Sequence, residues 1–171
     1  MGKPTVYIAV DPGAKGGIAI RDRSSVVTIP FANLQLPQEV VSPPRKAKAH
    51  DDVELPYEVE AHGDAERRAN VAIEKSRSKS REFACTNYAA NLVAGAIKSH
   101  FKRGHCKVVF VDPRDWQKFC NVVGSGNEKG RPYTDFAEVE LGVNPAASEH
   151  EKAARCILHW AESTNAWGAG A

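Results

Sequence analysis

Length and composition limit the classes of protein to which this chain can belong. The 171 residues are 42% hydrophobic and 26% charged, and the formal net charge is +2 at pH 7. These values suit one compact domain with a buried core and exclude disordered and fibrous chains. No apolar run reaches the roughly 20 residues of a membrane-spanning helix, and the N-terminus lacks the pattern of a secretory signal. We therefore expect a cytoplasmic protein, with an organelle matrix as the alternative location.

Three short strand patterns open the chain. Residues 5–10 are rich in β-branched side chains and run into the turn sequence Asp11-Pro12-Gly13. Residues 16–20 and 25–30 follow after short turns, so we expect an antiparallel meander. The segment around 31–55 contains prolines and no sustained period, which predicts a flexible loop within a single domain spanning residues 1–171.

Strand and helix patterns alternate in the rest of the chain. The strands are predicted at 69–74 and 107–111. The helices are predicted at 58–68, 83–101, 113–119, 133–141 and 149–162. Together these patterns predict an α/β fold. Its five-stranded mixed sheet has three antiparallel strands followed by parallel ones, and helices flank it.

The four cysteines are widely spaced and include no C-x-x-C pair. A disulfide framework or a four-cysteine zinc site is therefore not expected. We expect Cys85, Cys106, Cys120 and Cys156 to be buried or half-buried thiols.

A carboxylate ends two of the predicted strands, Asp11 after the first and Glu74 after the fourth. The strand fixes such a residue while the following loop exposes its side chain, so strand tips are where open α/β sheets present chemistry. Two carboxylates at one mouth repel each other unless a cation neutralises them, and hard oxygen ligands suit Mg²⁺ or Mn²⁺. Two such ions about 4 Å apart are a common device for phosphodiester hydrolysis. The simpler alternative is that Asp11 caps its own turn and Glu74 is a solvated strand end.

Cations at every second position follow Glu74: Lys75, Arg77, Lys79 and Arg81. An extended segment would place all four on one side, as a row that suits a phosphate backbone, whereas the simpler alternative is a solvated loop. A site that holds divalent ions beside a basic row is the combination that a nuclease needs, because the cations bind the polyanion and the acids bind the metal.

Several segments, in this order, resemble the RuvC family of Holliday junction resolvases in the RNase H-like superfamily. The first two are IAVDPGAKGGIAI around Asp11 and VAIEKS around Glu74. The third, VVFVDPRDWQKF, resembles the V-x-P-x-x-W segment of phage and organellar members. The fourth, VGSGNEK, resembles a glycine-rich, lysine-ended loop. The likeness covers nearly the whole chain apart from residues 31–68.

The resemblance implies an RNase H-like fold and a homodimer that cuts two opposed strands of a four-way DNA junction. Asp11 and Glu74 would be metal ligands in a site with two Mg²⁺ ions, for which Mn²⁺ can substitute. Lys129 would contact a phosphate near the cut, and Arg131 is grouped with it as DNA-binding. The alanine-lined side of the helix at 83–101 would form the dimer, and Gly16-Gly17 would leave room for an approaching phosphate.

The family pattern fails at the start of the last helix, where its members carry one or two further acids. The stretch 148–156 reads SEHEKAARC, which places Ala153 or Ala154 where the last acid is expected. Alanine cannot ligate a metal, so we name Glu151 as the candidate carboxylate, with His150 as a supporting base or ligand. The alternative is that Glu149 and Glu151, the acids of this first turn, stabilise the helix by complementing its dipole. A further alternative is a protein that binds junctions and cuts them poorly, by natural loss or by substitution.

Two other classes fit parts of the sequence. The D-P-G-x-x-x-G segment also resembles the first phosphate loop of actin-like ATPases, but those proteins need a second lobe for which 171 residues leave no room. The YqgF-like group, which is RNase H-like and linked to RNA processing, has a last helix that resembles KAARCIL. The basic row and the tryptophan segment favour the junction resolvases.

Overall fold

The computed structural model describes residues 4–13, 15–31, 53–124 and 129–168. Its strands are β1 (Thr5–Asp11), β2 (Gly16–Asp22), β3 (Ser25–Phe31), β4 (Arg68–Glu74) and β5 (Cys106–Val111). Its α-helices are α1 (Tyr57–Asp64), α2 (Ala84–His100), α3 (Pro113–Cys120), α4 (Tyr133–Val139) and α5 (Glu149–Ser163). A short 3₁₀ helix, Arg81–Phe83, leads into α2.

The sheet has the strand order β3-β2-β1-β4-β5. The first three strands pair antiparallel, and β1, β4 and β5 pair parallel to one another. This arrangement confirms the predicted mixed sheet. Because β1 and β4 are neighbours that run in the same direction, the residues at their carboxyl ends share one edge of the sheet.

Each face of the sheet carries its own core. Alternate residues of β1, such as Val6 and Ile8, point into a cluster beneath α1 and α2, while Ala9 points into a second cluster beneath α3, α4 and α5. Small residues at the centre of the second face, Ala9 and Ala19, leave space for α5. The helix can therefore lie close to the strands on that face.

The structure corrects two expectations from the sequence and leaves a third untested. The helix predicted at 58–68 ends at Asp64, and β4 begins at Arg68. The loop predicted around 31–55 lies mostly outside the described residues. The small residues of α2 are not a free dimer surface, because Ala89, Ala90 and Ala94 are buried in the core of their own chain.

The thiols follow the prediction, since Cys85 and Cys106 are half-buried while Cys120 and Cys156 are buried, all four unpaired. In the described part of the chain, no helix combines the length and apolarity that crossing a membrane requires.

Candidate active site

Asp11 and Glu74 lie next to each other at the carboxyl ends of β1 and β4. Val10 pairs with Ile73 in the parallel register, so the two acids occupy the following position on adjacent strands. The side chain of Asp11 is only 13% exposed. The fold thus brings together two carboxylates that are 63 positions apart in the sequence, as the pattern of strand ends predicted.

Burial and mutual repulsion make this pair costly to ionise. Burial raises the pKa of Glu74 to about 8, and the charge of Asp11 contributes to the shift. Burial also raises the pKa of Asp11, against the effect of a hydrogen bond from His150. Two desolvated carboxylates side by side need a positive charge before both can be anionic near neutral pH.

His150 is the first side chain of α5 that contacts the pair. Its Nδ1 lies 2.8 Å from Oδ2 of Asp11, and its Nε2 lies 3.8 Å from Oε1 of Glu149. The hydrogen bond to Asp11 raises the pKa of the imidazole, despite its partial burial. An imidazole held in this way can orient the carboxylate and can carry a proton at the edge of the site.

Trp116 contacts the other carboxylate, and the sequence patterns do not predict it as a site residue. Its indole Nε1 donates a hydrogen bond of 2.7 Å to Oε2 of Glu74, and the residue is 2% exposed. The ring packs edge-on against Tyr133, with centroids 5.7 Å apart and planes at 89°. Burial raises the pKa of Tyr133, and the nearby charges of Glu149 and Asp11 add to this effect. Trp116 and Tyr133 therefore form the aromatic wall of the site.

Glu151 has a different partner from the one predicted. Its carboxylate accepts a hydrogen bond of 2.9 Å from the backbone N–H of Ser148, and the Ser148 hydroxyl accepts one from the backbone N–H of Glu151. This reciprocal pair is a capping box that satisfies the first turn of α5. The acid of that turn whose charge acts on Asp11 is instead Glu149. One oxygen of Glu151 is thus occupied by the cap of its own helix, and its predicted role as the third carboxylate ligand remains a prediction.

Gly17 has a structural role that differs from the predicted one. A Cβ atom at this position would lie 2.4 Å from the backbone carbonyl of His150 and from the backbone nitrogen of Glu151. The missing side chain makes room for the first turn of α5, and this close approach is what brings His150 to Asp11. The expected space for a phosphate is thus filled by a helix.

The segment after Glu74 borders a cleft of about 450 Å³. Lys75, Arg77 and Lys79 line it, whereas Arg81 begins the 3₁₀ helix outside that lining. The hydroxyls of Ser76 and Ser78 each accept a hydrogen bond from the backbone N–H two residues further on, so the segment forms turns rather than an extended strand. The predicted row of four cations is therefore a cluster of three.

The first turn of α3 holds this segment in place. Asp112, the N-cap of the helix, accepts a hydrogen bond of 2.7 Å from the backbone N–H of Arg77. Asp115 accepts another of 2.7 Å from the guanidinium of the same residue. Lys75 donates to Asn91 and lies 4.6 Å above the ring of Phe110. Lys79 is exposed on the cleft.

The two cations predicted near the glycine-rich loop lie beside α4. Arg131 pairs with Glu140 at 3.1 Å and stacks over the ring of Phe136. Lys129 is exposed and borders residues 125–128, which lie outside the described part. Their predicted contacts with DNA remain predictions.

The oxygen atoms of the acid pair fit a divalent cation. Among the described residues, Oδ1 of Asp11 and Oε1 of Glu74 make no hydrogen bond, whereas Oδ2 and Oε2 are held by His150 and Trp116. Mg²⁺ is commonly held by one or two carboxylates, with water and substrate phosphate completing the octahedron. Within the described ranges, no three His, Cys, Asp or Glu side chains are grouped as a metal site.

No protein-family model matches the chain, and no curated protein matches it in sequence. Solved structures that match it in fold include two of RuvC. RuvC of Thermus thermophilus in complex with a Holliday junction substrate gives a TM-score of 0.53 at 15% identity, over 94% of this chain and 96% of that one. The structure of Thermus thermophilus RuvC itself gives 0.50 at 16% identity, with the same coverage. These likenesses establish that the chain has the RuvC fold, which is the RNase H-like arrangement that the sequence predicted.

Proposed function

We propose that this protein is a metal-dependent endodeoxyribonuclease that binds four-way DNA junctions and nicks two opposed strands. The observation that carries the proposal is the pair Asp11 and Glu74, half-buried side by side at the ends of two parallel strands and bordered by a cationic cleft. A pair of desolvated carboxylates gains little for the stability of the fold, because each raises the cost of ionising the other. Its position is explained by a cation that both acids share.

In this proposal Asp11 and Glu74 hold Mg²⁺, or Mn²⁺ in its place. When bound, the ion supplies an activated water and stabilises the leaving oxygen of the cut phosphodiester. His150 orients Asp11 through the 2.8 Å hydrogen bond and exchanges a proton at the Nε2 that faces Glu149. Trp116 and Tyr133 exclude bulk water on the side of Glu74. The predicted second ion would depend on Glu149, water and DNA for its ligands.

The cleft beside Glu74 is the proposed path of the DNA backbone. Lys75, Arg77 and Lys79 line one cavity that begins at the residue after Glu74, and the two acids that also line it, Asp112 and Asp115, pair with Arg77. Phosphate contacts of this kind position the duplex and do not read its sequence. Arg81, Lys129 and Arg131 are proposed as outer contacts at greater distance along the DNA.

The choice of a four-way junction follows from the fold and from the substrate of the neighbour. The RuvC of Thermus thermophilus is described in complex with a Holliday junction substrate. Paired cuts on opposed strands need two active sites, so we propose a homodimer. Its interface uses a surface other than the alanines of α2, because those are buried within the chain. A cytoplasmic location, where such DNA is accessible, is part of the proposal.

A second candidate, a junction-binding protein with impaired cutting, is favoured by Ala153. Helical residues advance by about 100° per position, which places Ala153 between Glu149 and His150, the two residues of α5 that act on Asp11. Ala154 falls on the other side of His150, towards Glu151 and β2, whose Gly17 contacts that turn. Of the two alignments, the structure therefore favours Ala153 as the position of the missing acid. An alanine there leaves the binding surface intact and weakens the metal site.

A binding and cutting assay with three substrates tests the proposal. We expect the protein to bind a synthetic four-way junction more tightly than a linear duplex, and to nick the junction in Mg²⁺ or Mn²⁺ but not in EDTA. Tight binding without cutting would favour the impaired protein. Cutting of structured RNA alone would contradict the proposal and favour a YqgF-like activity.

A further inference from the structure

Trp116 connects the acid pair to the segment that lines the cationic cleft. Its indole donates to Glu74, while Asp112 and Asp115, in the same helical turn of α3, hold the backbone and side chain of Arg77. Glu74 and Arg77 are three residues apart in the chain. One turn of α3 therefore fixes both the last residue of β4 and the segment that follows it.

The environment of Trp116 allows little freedom for its ring. The residue is 2% exposed, its ring meets Tyr133 edge-on, and α3 begins with an N-cap aspartate followed by proline. An indole held on several sides can impose one rotamer on a carboxylate that accepts its hydrogen bond. Oε2 of Glu74 is then occupied by the indole.

We propose that Trp116 is a positioning residue of the metal site, which holds Glu74 so that its remaining oxygen, Oε1, is presented to the ion shared with Asp11. This inference rests on the proposed function, because it concerns the ion that the acid pair would hold. Residues that orient metal ligands through such hydrogen bonds change metal affinity or activity by about 10- to 100-fold when they are replaced. A tryptophan that only fills the core would lack this effect.

The test is metal affinity measured without DNA. We expect Trp116→Phe, which keeps an aromatic ring and removes the N–H, to weaken Mn²⁺ binding by about 10- to 100-fold in calorimetric titrations. Junction affinity in EDTA should stay within about twofold of the wild type, because the cationic cleft is unchanged. Trp160→Phe is the matched control, since Trp160 lies on α5 and its described contacts do not include the acid pair.

A spectroscopic measurement covers the case in which Trp116→Phe does not fold. The indole N–H signals of the three tryptophans can be assigned in ¹H–¹⁵N spectra from Trp160→Phe and Trp167→Phe. We expect the Trp116 signal to shift upfield in Glu74→Gln, because the acceptor loses its charge, and to shift in the wild type when Mg²⁺ is added.

The outcomes separate this inference from the proposed function. If the wild type binds Mn²⁺ and Trp116→Phe binds it equally well, Trp116 has a packing role only and the inference is overturned. An indole signal that ignores both Glu74→Gln and Mg²⁺ would overturn it as well. A wild-type protein without metal affinity would overturn the metal site itself, and with it the role of Trp116.

Discussion

The imidazole of His150 lies 2.8 Å from the carboxylate of Asp11, and this contact joins the first strand of the sheet to the first turn of the last helix. The contact depends on Gly17, whose missing side chain lets α5 approach β2. Asp11 therefore has one oxygen, Oδ2, held by His150, while its Oδ1 makes no hydrogen bond to the described residues. The same division of oxygens occurs in Glu74, with Trp116 in the place of His150.

The variant Asp11→Asn tests whether Asp11 is a metal ligand, a role that both candidate functions assign to it. We expect this variant to lose junction cutting, with a fall of several orders of magnitude in rate, because a neutral amide is a weak ligand for Mg²⁺. Junction affinity should be retained or increased, since a negative charge near the phosphates has been removed. Rates of nicking and electrophoretic mobility shifts on the same junction give both quantities.

The control for this variant is Asp64→Asn, at the end of α1 and paired with His100. This control also removes one negative charge, but at a position distant from the strand ends that carry the acid pair. Cutting should therefore be unchanged. Retained cutting by Asp11→Asn would refute the assignment of Asp11 as a ligand.

Stability should depend on pH through Glu74. The folded protein keeps a proton on this residue up to a pH of about 8, whereas the ordinary value is 4.5, so the folded state binds more protons than the unfolded state between these values. In the metal-free protein, the contribution of Glu74 to the free energy of unfolding should therefore be fully present at and below pH 4.5. This contribution should be lost as the pH rises towards 8. The raised pKa values of Asp11 and His150 act in the same direction.

Glu74→Gln should remove this dependence. In EDTA at pH 8.5 we expect its Tm to exceed that of the wild type by about 3 °C or more, because a gain of about 1 kcal/mol shifts the Tm of a domain of this size by about 2–4 °C. Added Mg²⁺ should raise the Tm of the wild type more at pH 8.5 than at pH 6, and should leave the variant unchanged. A wild-type Tm that rises with pH in EDTA would contradict the buried acid pair. Glu58→Gln, at an exposed position of α1, is the control.

The cationic cleft predicts a specific salt dependence. Replacing Lys75, Arg77 and Lys79, the three cations that line the cleft, together by alanine should weaken junction binding for all sequences. It should also reduce the slope of log affinity against log salt by about 0.9 for each phosphate that the protein no longer neutralises. Because Arg77 is already paired with Asp115, the reduction should be smaller than that for three free cations.

The matched control replaces Lys98, Lys102 and Arg103, three exposed cations around the C-terminal end of α2. This triple variant removes the same charge at the end of the sheet where β5 begins, opposite to the acid pair. Equal salt slopes for the two triple variants would show that the cleft cations form a solvated surface without a special role.

Restoring an acid to α5 distinguishes the two alignments of the last helix. We expect Ala153→Asp to increase metal affinity and junction cutting, because this position lies between Glu149 and His150, the two residues of α5 that act on Asp11. Ala154→Asp should do neither and should destabilise the fold by several kcal/mol, since Ala154 is completely buried and a charge there has no partner. Increased cutting by Ala154→Asp alone would show that α5 is rotated about its axis so that position 154, and not position 153, lies beside the metal site.

The acid pair can be located from the sequence, because a strand pattern and the residue that ends it can both be recognised within one short segment. Asp11 and Glu74 can be placed on one edge once parallel pairing of their strands is assumed. Trp116 cannot be found in this way, because its partner lies 42 positions earlier and their contact depends on where α3 packs. Nothing local in the tryptophan segment connects an indole to a carboxylate on another element.

Other expectations depend on patterns that have two meanings. Glu151 is predicted as a metal ligand, but Ser148-x-x-Glu151 is also the pattern of a capping box, and the local hydrogen bonds of the cap hold its carboxylate. The alanines of α2 and Gly17 indicate close approach correctly. The sequence does not say which element approaches, and in both cases it is part of the same chain.

A supercoiled plasmid that extrudes a cruciform, which is a four-way junction in closed circular DNA, tests whether Asp11 and Glu74 form a junction-cutting site. Two coordinated cuts across the junction give linear plasmid, whereas a single cut gives a nicked circle. We predict that the protein produces linear plasmid in Mg²⁺ or Mn²⁺, faster with Ala153→Asp and not at all with Asp11→Asn. Equal cutting by Asp11→Asn, or no linear product from either the wild type or Ala153→Asp, would contradict a junction-cutting site built on Asp11 and Glu74.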